Sequence, residues 1–335
     1  MSGVRSSHRP LKDLNKSSGL FLCLPETKIF LSYCFFSLII DAMNWLLICS
    51  NKNKMKKMRS AVERNFKDAV LSAVSPEESE LRSVYGNLGG ITHCVISVEE
   101  RSREIDFIAG FMCGASVPVY TDLQDLSREI DCSDKLVVSE DFGALVSYLG
   151  EQKGQIISDF EKNEAYRYLF EHGLPFSPDC FALQIEKENT ELCACYLRAG
   201  MDVNIRNSEG TPMLNVACRC ESLELVKWLV SHGCDVDPVS DDRGYTPLMD
   251  AVWKGNTDIA GFLIKQGADV NRLSKDGQTM IVLAVGADKI DLCRLLVENG
   301  ADVDIPDAMG MSAYAYASLF KKEAILALLE KYHKE

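Results

Sequence analysis

Thr246-Pro247-Leu248-Met249-Asp250-Ala251-Val252-Trp253-Lys254-Gly255 decides the fold when read together with Phe262-Leu263-Ile264-Lys265-Gln266-Gly267-Ala268-Asp269-Val270-Asn271 and Asp276-Gly277. The Thr246 hydroxyl can cap a helix, and Pro247 at the first helical position lacks only a donor that would be orphaned there anyway. Small Ala251 admits a second helix at close range. On that second helix Ile259, Phe262 and Leu263 make an apolar stripe at helical spacing. Gly267 ends it, since glycine enters the left-handed region without a Cβ clash, and Asp276-Gly277 closes a tight turn.

The unit recurs on both sides. Ser177-Pro178, Thr211-Pro212, Thr246-Pro247, Thr279-Met280 and Ser312-Ala313 start successive copies at spacings of 34, 35, 33 and 33 residues. A second mark keeps the same period: Gly200, Gly233, Gly267 and Gly300 each stand two residues before Asp-Val-Asn or Asp-Val-Asp. A period near 33 denotes a supersecondary unit stacked on copies of itself, so an α-solenoid is expected.

These residues resemble ankyrin repeats over about 164–335. The outer copies depart from the pattern: the first carries two extra residues before Glu191, and the last ends at Lys331-Tyr332-His333 without a glycine turn. Glu164 to Gly173 reads as the second helix of a half-repeat that caps the N-terminal end. The resemblance implies a protein partner held in a concave groove, touched by residues that stacking does not need. At the turn tips these are Arg206, Asn207, Glu209, Asp241, Asp242, Arg243, Lys275, Asp276, Asp307 and Met309. On the first helices they are Asn215, Arg219, Asp250, Trp253, Lys254 and Tyr316, with Trp253 foremost, because a large aromatic flanked by charge is a favoured interface anchor.

Formal charge is unevenly placed: residues 1–58 carry +6, residues 59–158 carry −8 and residues 159–335 carry −11. So acidic a folded part repels phosphate backbones, which argues against nucleic acid as a partner. Thirteen scattered cysteines, several inside apolar helix patterns, fit thiols in a reducing, cytoplasmic setting better than a disulfide framework. Cys193-x-Cys195 and Cys218-x-Cys220 lack metal-knuckle spacing, and neither a metal nor a cofactor is expected. His172 and His232 each precede a helix-ending glycine, where an imidazolium favours the negative end of the helix.

The N-terminal half reads differently. Ile29 to Cys49 is apolar apart from Asp41 and Asn44 and is long enough to cross a bilayer as a helix. Two explanations stand beside each other: a membrane anchor, or a true start at Met55 or Met58 that leaves this stretch outside the protein. Residues 59–158 then read as a small parallel α/β domain, opened by a helix over 59–74. Its strands are expected at Thr92–Val98, Val117–Tyr120 and Lys135–Val138, and its helices at 101–114 and 142–149, the first with Ile105, Ile108, Ala109 and Met112 on one face.

Glu104 to Gly114, followed by Pro118-Val119, resembles the helix and strand of nucleoside deoxyribosyltransferases and of Toll/interleukin-receptor-like nucleotide-cleaving domains. That resemblance would make Asp106, or else Glu104, a catalytic carboxylate. However, Glu99-Glu100-Arg101 stands where a glycine-rich loop would be, and two extra residues separate Gly114 from Pro118.

The expected organisation is an N-terminal segment 1–58, an α/β domain 59–158, and ankyrin repeats 159–335 with their half-repeat cap. The expected function is a non-enzymatic protein-interaction module. Two alternatives stay open: a nucleotide- or NAD-directed N-glycosidic hydrolase or transferase in 59–158 targeted by the repeats, and an adaptor tethered to a membrane through 29–49.

Overall fold

Five short apolar runs pair into one fully parallel sheet: β1 (Asn44–Cys49), β2 (Val70–Val74), β3 (His93–Ser97), β4 (Val119–Thr121) and β5 (Leu136–Val138), in the order β2-β1-β3-β4-β5. The computed structural model describes residues 42–126 and 134–334. Between the strands run α1 (Lys52–Asn65), α2 (Glu78–Val84) and α3 (Arg103–Gly114), and after β5 come α4 (Phe142–Glu151) and the long α5 (Lys153–Glu171).

The strands β1 and β3 are buried almost throughout, and successive residues point to opposite faces. Leu46, Ile48, Cys94 and Ile96 meet α2 and α3 through Leu81, Ile105, Ile108 and Met112. Trp45, Leu47, Cys49 and Val95 meet α1, α4 and α5 through Met58, Val62, Leu145, Leu149, Ile156 and Phe160. Trp45 stacks on His93 with ring centroids 4.5 Å apart, and burial pushes that imidazole down to about 3, so it stays neutral.

This arrangement corrects the reading of residues 29–74. Asn44–Cys49 is the strand between β2 and β3, not the end of a membrane helix, and a chain beginning at Met55 or Met58 would lack this interior strand of its sheet. Residues 29–41 of the expected span lie outside the described residues. The helix expected over 59–74 is instead α1, ending at Asn65, and then edge strand β2. Among the described residues no helix is long and apolar enough to cross a membrane.

The boundary drawn at 158/159 falls inside α5. Its first half packs on the sheet through Ile156 and Phe160. Its second half buries Ala165 and Leu169, and the Ala165 carbonyl accepts from Cys195 Sγ at 3.5 Å in the first repeat. One rigid helix thus serves both parts of the chain.

Five helix pairs follow: α6 (Pro178–Glu186) with α7 (Thr190–Arg198), α8 (Met213–Arg219) with α9 (Leu223–Ser231), α10 (Pro247–Lys254) with α11 (Thr257–Lys265), α12 (Met280–Gly286) with α13 (Ile290–Glu298), and α14 (Ala313–Leu319) with α15 (Glu323–Leu329). The first helices pack side by side, α6 on α8, α8 on α10, α10 on α12 and α12 on α14. Ser177, Thr246, Thr279 and Ser312 cap their helices as expected, each hydroxyl accepting from the backbone N–H three residues on at 3.2–3.3 Å.

The second repeat is the exception. Its cap position is Pro212, which has no side-chain bond, rather than Thr211. The Thr-Pro pair therefore sits one residue out of register with its counterpart at Thr246. Aligned by structure, Pro212 matches Thr246, and Arg219 stands where Trp253, Gly286 and Leu319 stand in later repeats.

Repeats are also tied together by the residue that closes each Asp-Val-Asn or Asp-Val-Asp. Asn204 Oδ1 accepts from Asp235 N at 2.7 Å and Asn271 Oδ1 from Asp302 N at 2.8 Å. Their amides donate to the carbonyls of Gly233 and Gly300 at 3.3 and 2.9 Å. At the end of the stack, Asp304 accepts from Lys334 N at 2.9 Å and pairs with His333 at 2.5 Å, so the C-terminal tail stands in for a next repeat.

Asp237 occupies the same place but has no amide to donate. Its Oδ2 accepts from Asp269 N at 2.9 Å, while Oδ1 is buried without a donor. Burial raises its carboxyl above the ordinary range, so the folded chain holds that proton more tightly than the unfolded chain. Asp237→Asn is expected to restore the missing bond to the Gly267 carbonyl and raise stability by about 1 kcal/mol at neutral pH. Its advantage should shrink as pH falls through the raised pKa, where the wild type becomes protonated and gains a donor of its own. Urea unfolding of both proteins at two pH values measures this.

Candidate functional site

The expected contact residues divide into two groups that the sequence did not separate. Asn215 and Asp250 are fully buried, so they are corrected from surface contacts to internal supports. Asn215 Nδ2 donates to Asp250 Oδ2 at 2.8 Å and to the Tyr245 carbonyl at 3.0 Å. Over them lies Arg219, whose Nε donates to Asp250 Oδ2 at 3.0 Å. Its two terminal nitrogens grip Asp242 at 2.7 and 3.1 Å.

Burial raises the Asp250 carboxyl, against the pull of Asn215 and Arg219. Burial also opposes ionisation of Asp242, but the Arg219 fork, the Arg243 N–H and the Ser240 hydroxyl overcome it and hold that carboxyl well below the ordinary range. Arg219 is therefore a plug over a buried carboxylate that also ties a first helix to the next turn tip.

Trp253 is open to solvent over half its surface, and the Arg243 guanidinium lies over its ring at 5.1 Å. Lys254 reaches Glu221 at 3.5 Å, and Tyr316 donates to Asp307 Oδ2 at 2.9 Å. Arg206 donates to the carbonyls of Gly210 and Val239 at 3.0 and 2.7 Å, so it joins neighbouring turns. Lys275 and Met309 are exposed at later tips.

Leu283, Gly286, Leu319 and Phe320 belong to the same face and went unnoticed in the sequence. They stand at the repeat positions of Asp250, Trp253 and Lys254. Thr246, Thr279 and Ser312 start their copies in register, so counting four, seven and eight residues from each start finds them in the sequence.

In the α/β domain, Glu104 and Asp106 sit in the first turn of α3, where negative charge suits the helix N-terminus. Asp106 pairs with Arg101, and Glu104 lies 3.6 Å from Arg82. At the C-terminal edge of the sheet, Ser97 Oγ donates to Asp122 Oδ2 at 2.7 Å and Lys54 stands 3.8 Å from the same oxygen. His172 and His232 each donate through Nδ1 to a carbonyl of the last helical turn at 2.8 Å.

The repeat geometry agrees with comparison to known proteins. The family model for ankyrin repeats matches residues 181–274 and 266–335. A putative ankyrin repeat-containing protein of Treponema pallidum (strain Nichols) is 31% identical over 224 residues, covering 67% of this chain and 75% of that one. The chain belongs to the ankyrin-repeat family. A match of that length must begin no later than Met112 and end no earlier than Glu224, so the likeness takes in at least β4, β5, α4, α5 and the first repeat. Mouse B-cell lymphoma 3 protein homolog is 30% identical over 126 residues, 38% of this chain and 26% of its own. Mouse ankyrin repeat and SAM domain-containing protein 6 is 36% identical over 96 residues, 28% and 11% of the two chains.

Proposed function

We propose that the chain is a non-enzymatic protein-interaction module whose repeats present a docking face centred on Trp253. One observation carries the reading. A half-exposed tryptophan lies under the Arg243 guanidinium beside the buried Asn215–Asp250–Arg219 support. Such a preorganised aromatic loses little entropy when it binds. The α/β domain extends the stack through α5 and acts as a scaffold.

The ten cysteines of the described residues are all thiols, eight of them buried, in accord with a reducing, cytoplasmic setting. The −11 charge of residues 159–335 weighs against nucleic acid, and the reading requires no cofactor.

Full-length protein on beads, with Trp253→Ala and Arg243→Ala beside it, tests the proposal. Any specifically retained protein is expected to fall at least tenfold with Trp253→Ala and severalfold with Arg243→Ala. Unchanged retention by both variants would refute the docking face. Turnover of NAD or nucleosides that vanishes in Asp106→Asn would replace the reading with an enzymatic one.

A further inference from the structure

The three last first-helices carry an apolar trough. Trp253 and Leu319, 50% and 63% exposed, stand at the same position of α10 and α14. Between them, on α12, that position is Gly286, where an added Cβ would meet nothing within 4 Å. Exposed Ala287 follows it, and half-buried Leu283 and Tyr316 form the deeper wall. Adjacent helices pack about 10 Å apart, so the walls are about 20 Å apart with a notch midway. The Arg219 plug closes the end nearer the N-terminus.

The two rims differ in electrostatic state. On the turn-tip side three acids have partners, Asp242 in Arg219, Asp241 in Arg206 at 3.5 Å and Asp307 in the Tyr316 hydroxyl, while Asp276 is exposed and keeps that rim acidic. At the helix ends runs a lysine row of Lys254, Lys289, Lys321 and Lys322, and exposed Lys187 stands at the position of Lys254 in the first repeat. Lys254 and Lys322 have partners in Glu221 and Asp288. Lys289 and Lys321 are exposed, with no carboxylate at ion-pair distance among the described residues. At close range this row outweighs the net acidity of the stack, since charges beyond about 8 Å are largely screened at physiological salt.

We propose, resting on the docking face above, that the trough holds an amphipathic segment of a partner protein. A bulky apolar residue of that segment seats on Gly286 and Ala287 between Trp253 and Leu319, and its acidic flank meets Lys254, Lys289 and Lys321. A helix of about 14 residues spans the distance between the walls.

The probe is a fluorescent helical peptide of about that length, with leucines on one face and a flank of glutamates, lysines or glutamines. Binding to the full-length chain is followed by anisotropy. The glutamate peptide is expected to bind best, to weaken with added salt, and to lose about tenfold affinity with Trp253→Ala and with Gly286→Arg. The arginine enters open space at an exposed helical position, so thermal melting of that variant should match the wild type. Equal or better binding of the lysine peptide, or indifference to Gly286→Arg, would overturn the proposal. So would sedimentation showing a dimer that Gly286→Arg dissociates, because the occupant is then a second copy. If bead capture depends on Trp253 while no peptide binds, the docking face stands and the acidic amphipathic occupant is wrong; if neither depends on Trp253, both fall.

Discussion

Gly244→Ala should cost about 3 kcal/mol of stability, whereas Gly310→Ala, at the matching turn of the last repeat, should cost only about 1 kcal/mol. Both glycines have left-handed backbone, φ +67° and +78°, so the intrinsic penalty on a Cβ is shared. The neighbours differ. A Cβ on Gly244 would lie 2.0 Å from Lys275 Cβ and 2.8 Å from Lys275 N, while on Gly310 it would meet nothing within 4 Å. The Gly244 carbonyl accepts from that same Lys275 N–H at 3.1 Å, and neither backbone can retreat without loosening that tie between turns.

Because each repeat is stabilised mainly by its neighbours, the damage should appear as early unfolding of the repeats beyond the third. Urea unfolding with amide exchange on both variants measures it. Equal losses would show that the contact between turns contributes nothing.

Arg219→Met should cost about 3 kcal/mol at neutral pH, because it leaves Asp250 buried without its cationic partner. The expected dependence on pH follows from burial, which already raises the Asp250 carboxyl with the arginine present. With the arginine gone, the folded state holds the Asp250 proton more tightly still than the unfolded state. The deficit is then full above the raised pKa and shrinks as pH falls through it. Adding Asp250→Asn removes the buried charge while keeping an acceptor for Asn215, so the double variant should recover most of the loss at pH 7. A deficit independent of pH, or no recovery in the double variant, would mean that Arg219 acts through packing alone.

Residues whose signals are local are legible in the sequence. Ser177, Thr246, Thr279 and Ser312 do cap helices. Gly200, Gly233, Gly267 and Gly300 do take left-handed backbone. Ile105, Ile108, Ala109 and Met112 do share the buried face of α3. Asn44–Cys49 reads wrongly because a strand covered by helices on both faces has a continuous apolar run, which periodicity alone cannot tell from a membrane helix. The Thr211 slip is invisible for a related reason: a Thr-Pro pair satisfies the local rule, and only stacking on the third repeat shows that Pro212 holds the cap position.

The candidate site is legible as a set of positions but not as an arrangement. Asn215 and Asp250 look like surface residues until the partner about 35 residues away is seen, and Trp253 looks like one tryptophan among three until Arg243 is found over its ring.

By itself, then, the sequence determined the period, the helix pair and the turn chemistry, because caps, glycines and apolar stripes act within a few residues of themselves. The tertiary structure alone decided that β1 is an interior strand between β2 and β3, that α5 belongs to both halves, and that Asn215 and Asp250 lie beneath Arg219 while Gly286 is open. Those outcomes depend on contacts between residues far apart in the chain, whose energies exist only once the distant surfaces meet.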